Sequence, residues 1–476
     1  MATMIIEGER AQAASGETYE VRNPSTGEVV DRVPSGGPED VDRAARAAAK
    51  AQSSWGRLAP AERARILHRA AGHMLGKVDE IAKLLTLEQG KTLRESKIEA
   101  ERFGENIAWF ADLADKIHGQ QVALPNTSTF GLVVNRPIGV TGAIVPWNFP
   151  LTLAANKVAP AIAAGNCVVL KPSSTTPLST LACIEALMEG GLPEGVVNVV
   201  LGQGTGEAIV THPLIRKVAL TGSTPTGKRV MAVAAEQLKK VTLELGGSDP
   251  CIVLDDADLD AAASAISVGR FFNCGQACLA IKRLYIQDGA YDGLLERLVA
   301  KASKLKPGDG MAADTRMGPM HTETQRAEVE AQVKDALDRG GKLAFGGGRP
   351  EGSGYEKGNF INPAILVDVP DGARVWTEEV FGPALPVRRI GDLDEGLRLA
   401  NDSPFGLGSS IWTRDMASAW RAIQELEAGY TWVNALQIAH DELPFGGTKQ
   451  SGFGKEHGLE AYLSYVEQKS VVFGGV

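Results

Sequence analysis

Residues 166–174 read Asn166-Cys167-Val168-Val169-Leu170-Lys171-Pro172-Ser173-Ser174. The continuous apolar run Cys167–Leu170 predicts a strand buried on both faces, ended by Lys171-Pro172. A helix over about 178–190 and a strand at Val196–Val200 follow. The alternation continues with a short helix near 205–211, strand Lys217–Leu220, a helix over about 225–237 and strand Val241–Leu245. A helix over about 151–164 precedes the quoted run. Repeated β-α-β units with valine-rich strands predict an α/β fold: a parallel sheet with helices on both faces, the dinucleotide-binding architecture.

Outward from this core, a second α/β series starts at Cys251–Leu254. It has a helix from about Asp258 to Gly269, strand Arg283–Ile286 and a helix over about 290–304. Later strands are expected near 361–367, 384–390, 408–412 and 430–434. Toward the N-terminus, residues 1–35 are short extended pieces with turn signals at Asn23-Pro24 and Ser25-Thr26-Gly27. Helical periodicity starts near Glu39, resumes at Pro60 and continues to about Leu87, then runs from Leu93 to His118. Residues 119–145 change character, with Val122, Leu124, Leu132, Val133, Val134 and Val140 in strands broken by Pro125-Asn126 and Arg136-Pro137. Tyr465–Phe473 alternates like a strand that joins this excursion or a partner subunit.

The net charge of −9 argues against nucleic acid as the main partner and fits a cytoplasmic protein. Met1-Ala2-Thr3-Met4-Ile5-Ile6-Glu7 is too short and too charged for a signal peptide, and no apolar run approaches membrane-spanning length. Five cysteines in 476 residues are not a disulfide scaffold. Cys167 and Cys251 sit in apparent buried strands and Cys183 in an apolar helix, so all three read as packing residues. No pair has zinc-ligand spacing, and no metal is expected.

Eight stretches carry chemistry. The first is Phe271-Phe272-Asn273-Cys274-Gly275-Gln276-Ala277-Cys278, a small, polar loop able to present the Cys278 thiol at the floor of a cleft. Pro146-Trp147-Asn148-Phe149-Pro150 fixes one amide between two prolines, where its NH2 can donate to a developing oxyanion. Lys171 stands at the carboxyl end of a parallel strand, where open α/β sheets bind ligands, and can hold a ribose or phosphate. Gly202-Gln203-Gly204-Thr205-Gly206 and Gly222-Ser223-Thr224-Pro225-Thr226-Gly227 each follow a strand and open a helix, a setting suited to pyrophosphate. Val241-Thr242-Leu243-Glu244-Leu245-Gly246-Gly247 puts a carboxylate in an apolar strand, where burial raises its pKa toward general-base work. Glu378-Glu379-Val380-Phe381-Gly382-Pro383 and the run Pro444–Gly452 complete the set. Taken singly, each is also an ordinary turn, a solvated lysine or a buried ion pair.

Together, and in their order along the chain, the stretches resemble the aldehyde dehydrogenase superfamily over nearly the whole chain. The resemblance implies a dinucleotide-binding domain (1–118 and 140–246), a catalytic domain (247–445) and a β-hairpin oligomerisation arm (119–139 and 446–476). It implies Cys278 as catalytic thiol, Glu244 as general base, and Asn148 with the Cys278 N–H as oxyanion site. Trp147, Lys171, Ser174, Gly222, Ser223, Glu379 and Phe381 would contact the cofactor, NAD or NADP. The implied product is a carboxylic acid, formed through a thiohemiacetal and thioester. A homodimer or homotetramer is implied as well. A CoA-acylating relative usually lacks the Glu found here at 244, and a non-enzymatic relative would have lost Cys278 or Glu244.

The substrate pocket is expected to include Phe149, Asn156, Phe272 and Ala439. Succinate-semialdehyde dehydrogenases carry arginines at the positions of Asn156 and Phe272, so a neutral, small to medium aldehyde is the expected substrate, with a semialdehyde as the alternative. The Leu-Gly-Gly-Ser-Asp-Pro run at 245–250 does resemble some semialdehyde enzymes. NAD-preferring relatives often have Glu where this chain has Ser174, and a neutral hydroxyl there leaves Lys171 free for a 2′-phosphate, so NADP is expected to be accepted. Cys274 is four residues before Cys278; it forms a redox pair with it or, the favoured reading, points into the core.

Overall fold

A computed structural model describes residues 2–125 and 128–474. Met1, Gly475, Val476 and the Asn126 of the expected Pro125-Asn126 break lie outside the described residues. The first alternation builds an eight-stranded sheet. Its parallel core runs, in spatial order, Val197–Val199, Cys167–Lys171, Val140–Ile144, Ile215–Thr221 and Lys240–Glu244. In chain order this is 3-2-1-4-5, with the reversal between Val140–Ile144 and Ile215–Thr221. Ligands bind outside the carboxyl ends of such strands near the reversal. Ile144, Lys171, Thr221 and Glu244 are the terminal residues there, so one edge of the sheet gathers four of the sequence motifs.

The second series builds a seven-stranded sheet. Ala364–Val367, Ala384–Ile390, Ile281–Gln287, Asp249–Val253, Gly408–Trp412 and Tyr430–Val433 are parallel, and Lys342–Gly346 is added antiparallel at one edge. Cys167, Cys251 and Cys183 are buried in strands and a helix as expected. The N-terminal helical layer is Pro38–Trp55, Pro60–Leu75, Val78–Gln89 and Leu93–Ala114. The expected single helix from Pro60 to about Leu87 is thus two, broken at Gly76-Lys77, where Gly76 N–H turns back onto the Gly72 and His73 carbonyls. Thr92 and Glu95 cap the last helix reciprocally, leaving few unpaired backbone donors at its start. Glu323–Asp338, Leu393–Asn401 and Met416–Glu425 are helices the sequence reading did not place.

Val466–Gly474 pairs antiparallel with Thr129–Pro137, which pairs with Gln120–Ala123. The rest of 446–476 goes elsewhere: Thr448–Lys449 pairs with Phe405–Gly406, Gly452–Phe453 adds to the eight-stranded sheet beside Lys240–Glu244, and Gly458–Leu463 is a short helix. The turn at Ser451 requires this, since Leu245 N–H donates to its carbonyl and its own hydroxyl to Gly246 O. Among the described residues no helix is long and apolar enough to cross a membrane.

Candidate active site

Where the two sheets meet, Lys240–Glu244 ends and Asp249–Val253 begins, with Gly246-Gly247 between them. A Cβ at Gly246 would lie 2.3 Å from Glu379 Oε2, and one at Gly247 would lie 3.0 Å from the Cys278 carbonyl. These glycines are what let the Cys278 loop and the Glu379 loop close on the end of the Glu244 strand.

Cys278 follows a helix, Leu259–Phe271, and a tight turn in which Asn273, Cys274 and Gly275 all have positive φ (51°, 56° and 70°). Left-handed backbone is costly for the two residues that carry a Cβ. The turn is held by Asn273, whose N–H donates to Glu95 Oε1 (2.8 Å) and whose Nδ2 donates to Asn148 O (2.9 Å). Cys274 is buried with Sγ 3.7 Å from Met320 Sδ, so it points into the core, and all five cysteines are free.

The Asn148 Nδ2 donates to Gln276 O (3.1 Å), two residues before Cys278, which spends one of its two protons and aims the amide at the Cys278 loop. Lys91, fully buried and paired with Glu99, donates to Asn148 O (2.8 Å), and Glu99 accepts from Leu151 N–H (2.9 Å) at the start of the next helix. Trp147 stacks on His321 at 4.6 Å and meets Phe381 edge-on at 5.7 Å. The His321 Nδ1 bonds Gln89 O and its Nε2 lies 2.7 Å from Thr175 Oγ1; burial lowers its pKa to about 4, so it is neutral, donating to the carbonyl and accepting from the hydroxyl.

Glu244 is buried, and neither carboxyl oxygen has a hydrogen-bond partner; the Cys278 thiol approaches it without reaching good hydrogen-bond geometry. Burial, with repulsion from Glu456, pushes its pKa up from 4.5 to about 8, against the pull of Lys157. Burial and the Glu244 charge likewise push the Cys278 thiol well above its usual value, while Lys282 opposes them. Cys278 still keeps partial solvent access, unlike the other four cysteines.

Sequence reasoning missed Lys157 and Glu456. Both are buried; they pair with each other, and Lys157 Nζ also donates to Thr221 Oγ1 (2.6 Å). The available signal was a lysine inside Pro150–Ala163, a helix otherwise almost wholly apolar and buried. Asn156, expected in the substrate pocket, is 3% exposed and donates to Glu456 Oε2 (3.1 Å), beside the Lys157–Glu456 pair. Phe149 and Phe272 stack parallel at 6.1 Å, and Ala439 packs with Cys278 against the Leu407–Trp432–Phe445 cluster. Asp441 accepts from Arg102 (3.1 Å), Asn106 (3.0 Å) and His457 Nδ1 (2.8 Å).

Lys171 ends its strand half-buried, and burial lowers its pKa; its ammonium makes one long bond, 3.4 Å, to Pro172 O. Ser174 is partly exposed three residues on. Ser223 caps the helix Thr224–Ala235, with Gly222 N–H donating to Glu244 O. Glu379 accepts from Gly247 N–H (3.1 Å) and Lys282 Nζ (3.1 Å). A half-buried ammonium without a carboxylate partner among the described residues, a capped helix N-terminus and a positioned carboxylate together suit a dinucleotide.

Residues 11–471 match the aldehyde dehydrogenase family. The chain is 42% identical to the 3-sulfolactaldehyde dehydrogenase of Pseudomonas putida, over 99% of this chain and 97% of that one. It is also 42% identical to the NADP(+) succinate-semialdehyde dehydrogenase of Escherichia coli, over 96% of this chain and 95% of that one. The crystal structure of an E. coli NADP-dependent enzyme superposes with a TM-score of 0.97 at 41% identity, over 99% of this chain and 98% of that one. With a dinucleotide-type sheet, a partly accessible thiol and a buried carboxyl beside it, the chain belongs to the aldehyde dehydrogenase family and is an NAD(P)-dependent aldehyde dehydrogenase.

Proposed function

We propose that Cys278 is the nucleophile, Glu244 the base and Asn148 an oxyanion donor in oxidation of an aldehyde to its acid. The observation that carries this reading is the buried Glu244 carboxyl, unpartnered and perturbed by the Cys278 thiol. In its ionised form Glu244 accepts the thiol proton, and the thiolate attacks the aldehyde carbonyl. The second Asn148 Nδ2 proton and the Cys278 N–H stabilise the oxyanion of the thiohemiacetal. A bound nicotinamide supplies the hydride acceptor for its collapse to a thioester on Cys278. Glu244, its first proton by then released to solvent, takes a proton from water, whose oxygen attacks the thioester and releases the carboxylic acid and the Cys278 thiolate. The Lys157–Glu456 pair tunes this base electrostatically, Glu456 raising the Glu244 pKa and Lys157 lowering it.

Lys171 and Ser174 hold the adenosine ribose side of the cofactor, Gly222 and Ser223 the pyrophosphate, and Trp147, Glu379 and Phe381 the nicotinamide side. Neutral Ser174 beside a cation supports use of NADP as well as NAD, in keeping with the NADP named for the E. coli relative. The relatives above act, by name, on anionic aldehydes. Here the aromatic pair Phe149–Phe272, with Arg102 committed to Asp441, supports a neutral aldehyde. The exposed apolar side chains Val122, Phe130, Val472 and Phe473 on the three-stranded sheet support a homodimer or homotetramer; the acidic charge supports a cytoplasmic location. The test is formation of reduced cofactor from a panel of neutral and anionic aldehydes, with and without CoA. Acid release without CoA is expected, with higher kcat/KM for neutral members; an absolute CoA requirement refutes the hydrolytic step.

A further inference from the structure

Lys282 has no place in the scheme above, yet it is a cation whose side chain is 0% exposed, on the buried strand Ile281–Gln287. Its ammonium donates to the Cys278 carbonyl and lies 3.1 Å from Glu379 Oε1, the same oxygen that accepts Gly247 N–H. It sits 5.8 Å from the Phe381 ring centroid. One side chain thus ties the backbone of the nucleophile to the carboxylate and ring assigned to the nicotinamide side. Burying an ammonium is costly unless it is paired and hydrogen-bonded, so this contact set is specific.

We propose that Lys282 is a positioning residue of the reaction: it fixes the Cys278 loop and Glu379 to each other, and its charge favours the Cys278 thiolate. The charge pattern supports this. The groups acting on the thiol are Glu244 at the end of one strand, Asp249 on the next, and Lys282 on the third. Both acids oppose ionisation of the thiol, and Lys282 is the group that favours it. Glu456 and Lys157 act on Glu244 from behind, with opposite signs. Asp249 also faces Lys282, with its pKa raised to about 6 by burial and pulled back by that lysine. An acidic pocket around a thiol otherwise disfavours the thiolate, which is the nucleophile. The inference rests on Cys278 being that nucleophile.

The test is the pH dependence of Cys278 alkylation by iodoacetamide in cofactor-free enzyme; the other four cysteines are buried, so one thiol per chain reacts. Lys282→Gln keeps a polar, hydrogen-bonding side chain but carries no charge. Its alkylation is expected to be at least about tenfold slower at neutral pH, a thiol pKa raised by about one unit. Lys282→Arg is expected to recover most of the rate, and Lys282→Met, which loses the hydrogen bonds too, to raise KM for the cofactor as well. Should Lys282→Met fail to fold, the Gln and Arg pair carries the test. A wild-type pH profile in Lys282→Gln overturns the role of Lys282 alone. Alkylation that leaves wild-type turnover intact overturns the assignment of Cys278, and this proposal with it.

Discussion

Replacing Glu244 by Gln tests the electrostatics of the site without any substrate. In the folded chain this carboxyl keeps its proton up to about pH 8, whereas the ordinary value is 4.5. Between those limits the folded protein holds a proton that the unfolded chain has released, so stability falls as pH rises through the window. Glutamine is neutral throughout and removes that loss. Moving a carboxyl from 4.5 to about 8 penalises the charged form by on the order of 5 kcal/mol. Relaxation and water entry reduce this, so a gain of about 1–3 kcal/mol is expected at alkaline pH, a few degrees in unfolding temperature. The assay is scanning calorimetry of cofactor-free wild type and Glu244→Gln at pH 5 and pH 9, at one scan rate because large chains often unfold irreversibly. The variant is expected to be the more stable at pH 9, with the gap closing toward pH 5. A gap independent of pH, or a less stable variant at pH 9, refutes the buried-carboxyl reading. The same substitution is expected to slow thioester hydrolysis and leave a burst of reduced cofactor before a slow steady state.

Cys278→Ala is expected to retain less than about a thousandth of wild-type turnover while binding cofactor normally, measured by rate and by cofactor fluorescence titration. Asn148→Ala is expected to lower kcat by about a hundredfold or more with little change in cofactor binding, as loss of an oxyanion donor does. Ser174→Glu is expected to reduce kcat/KM for NADP by at least about tenfold and spare NAD, since a carboxylate beside Lys171 repels a 2′-phosphate; equal loss for both cofactors counts against that placement. Cys274 packs on Met320, so Cys274→Ser is expected to show the same dithiothreitol recovery after peroxide as wild type; poorer recovery would reveal a disulfide with Cys278.

The parallel strands were legible because each is a short valine-rich run closed by a glycine or proline turn, as in Cys167–Lys171 and Lys240–Glu244. Their carboxyl ends then had to share one sheet edge, which located most of the candidate site. The helix Glu323–Asp338 was not legible, because part of its buried face is polar: Arg326 bonds Gly358 O, and Gln332 bonds Glu378 and Glu379 O. Apolar periodicity has nothing to register there. The break at Gly76 escaped notice because the apolar stripe continues through Leu67, Met74 and Ile81 on both sides. Lys157 was visible as an odd lysine, but its partner lies 299 positions away, and the same Glu456, 300 positions from Asn156, holds that amide. Local pattern reads strands and turns; it does not read charges that meet only after folding.

That separation bears on how the enzyme is made. A ribosome releases Lys157, Glu244 and Cys278 in turn, and Glu456 only roughly 180 residues after Cys278, on the order of 10–35 s of synthesis at typical rates. Until then the helix Pro150–Ala163 carries an ammonium with no carboxylate to meet it, and docking it would bury an uncompensated charge. The nascent chain therefore has reason to leave this helix loose against the growing sheet. Asn148 lies two residues before that helix, so its placing depends on the same docking. Glu456, made after Lys157, Glu244 and Cys278, is what gives the Lys157 ammonium its partner and lets that helix dock without an uncompensated charge.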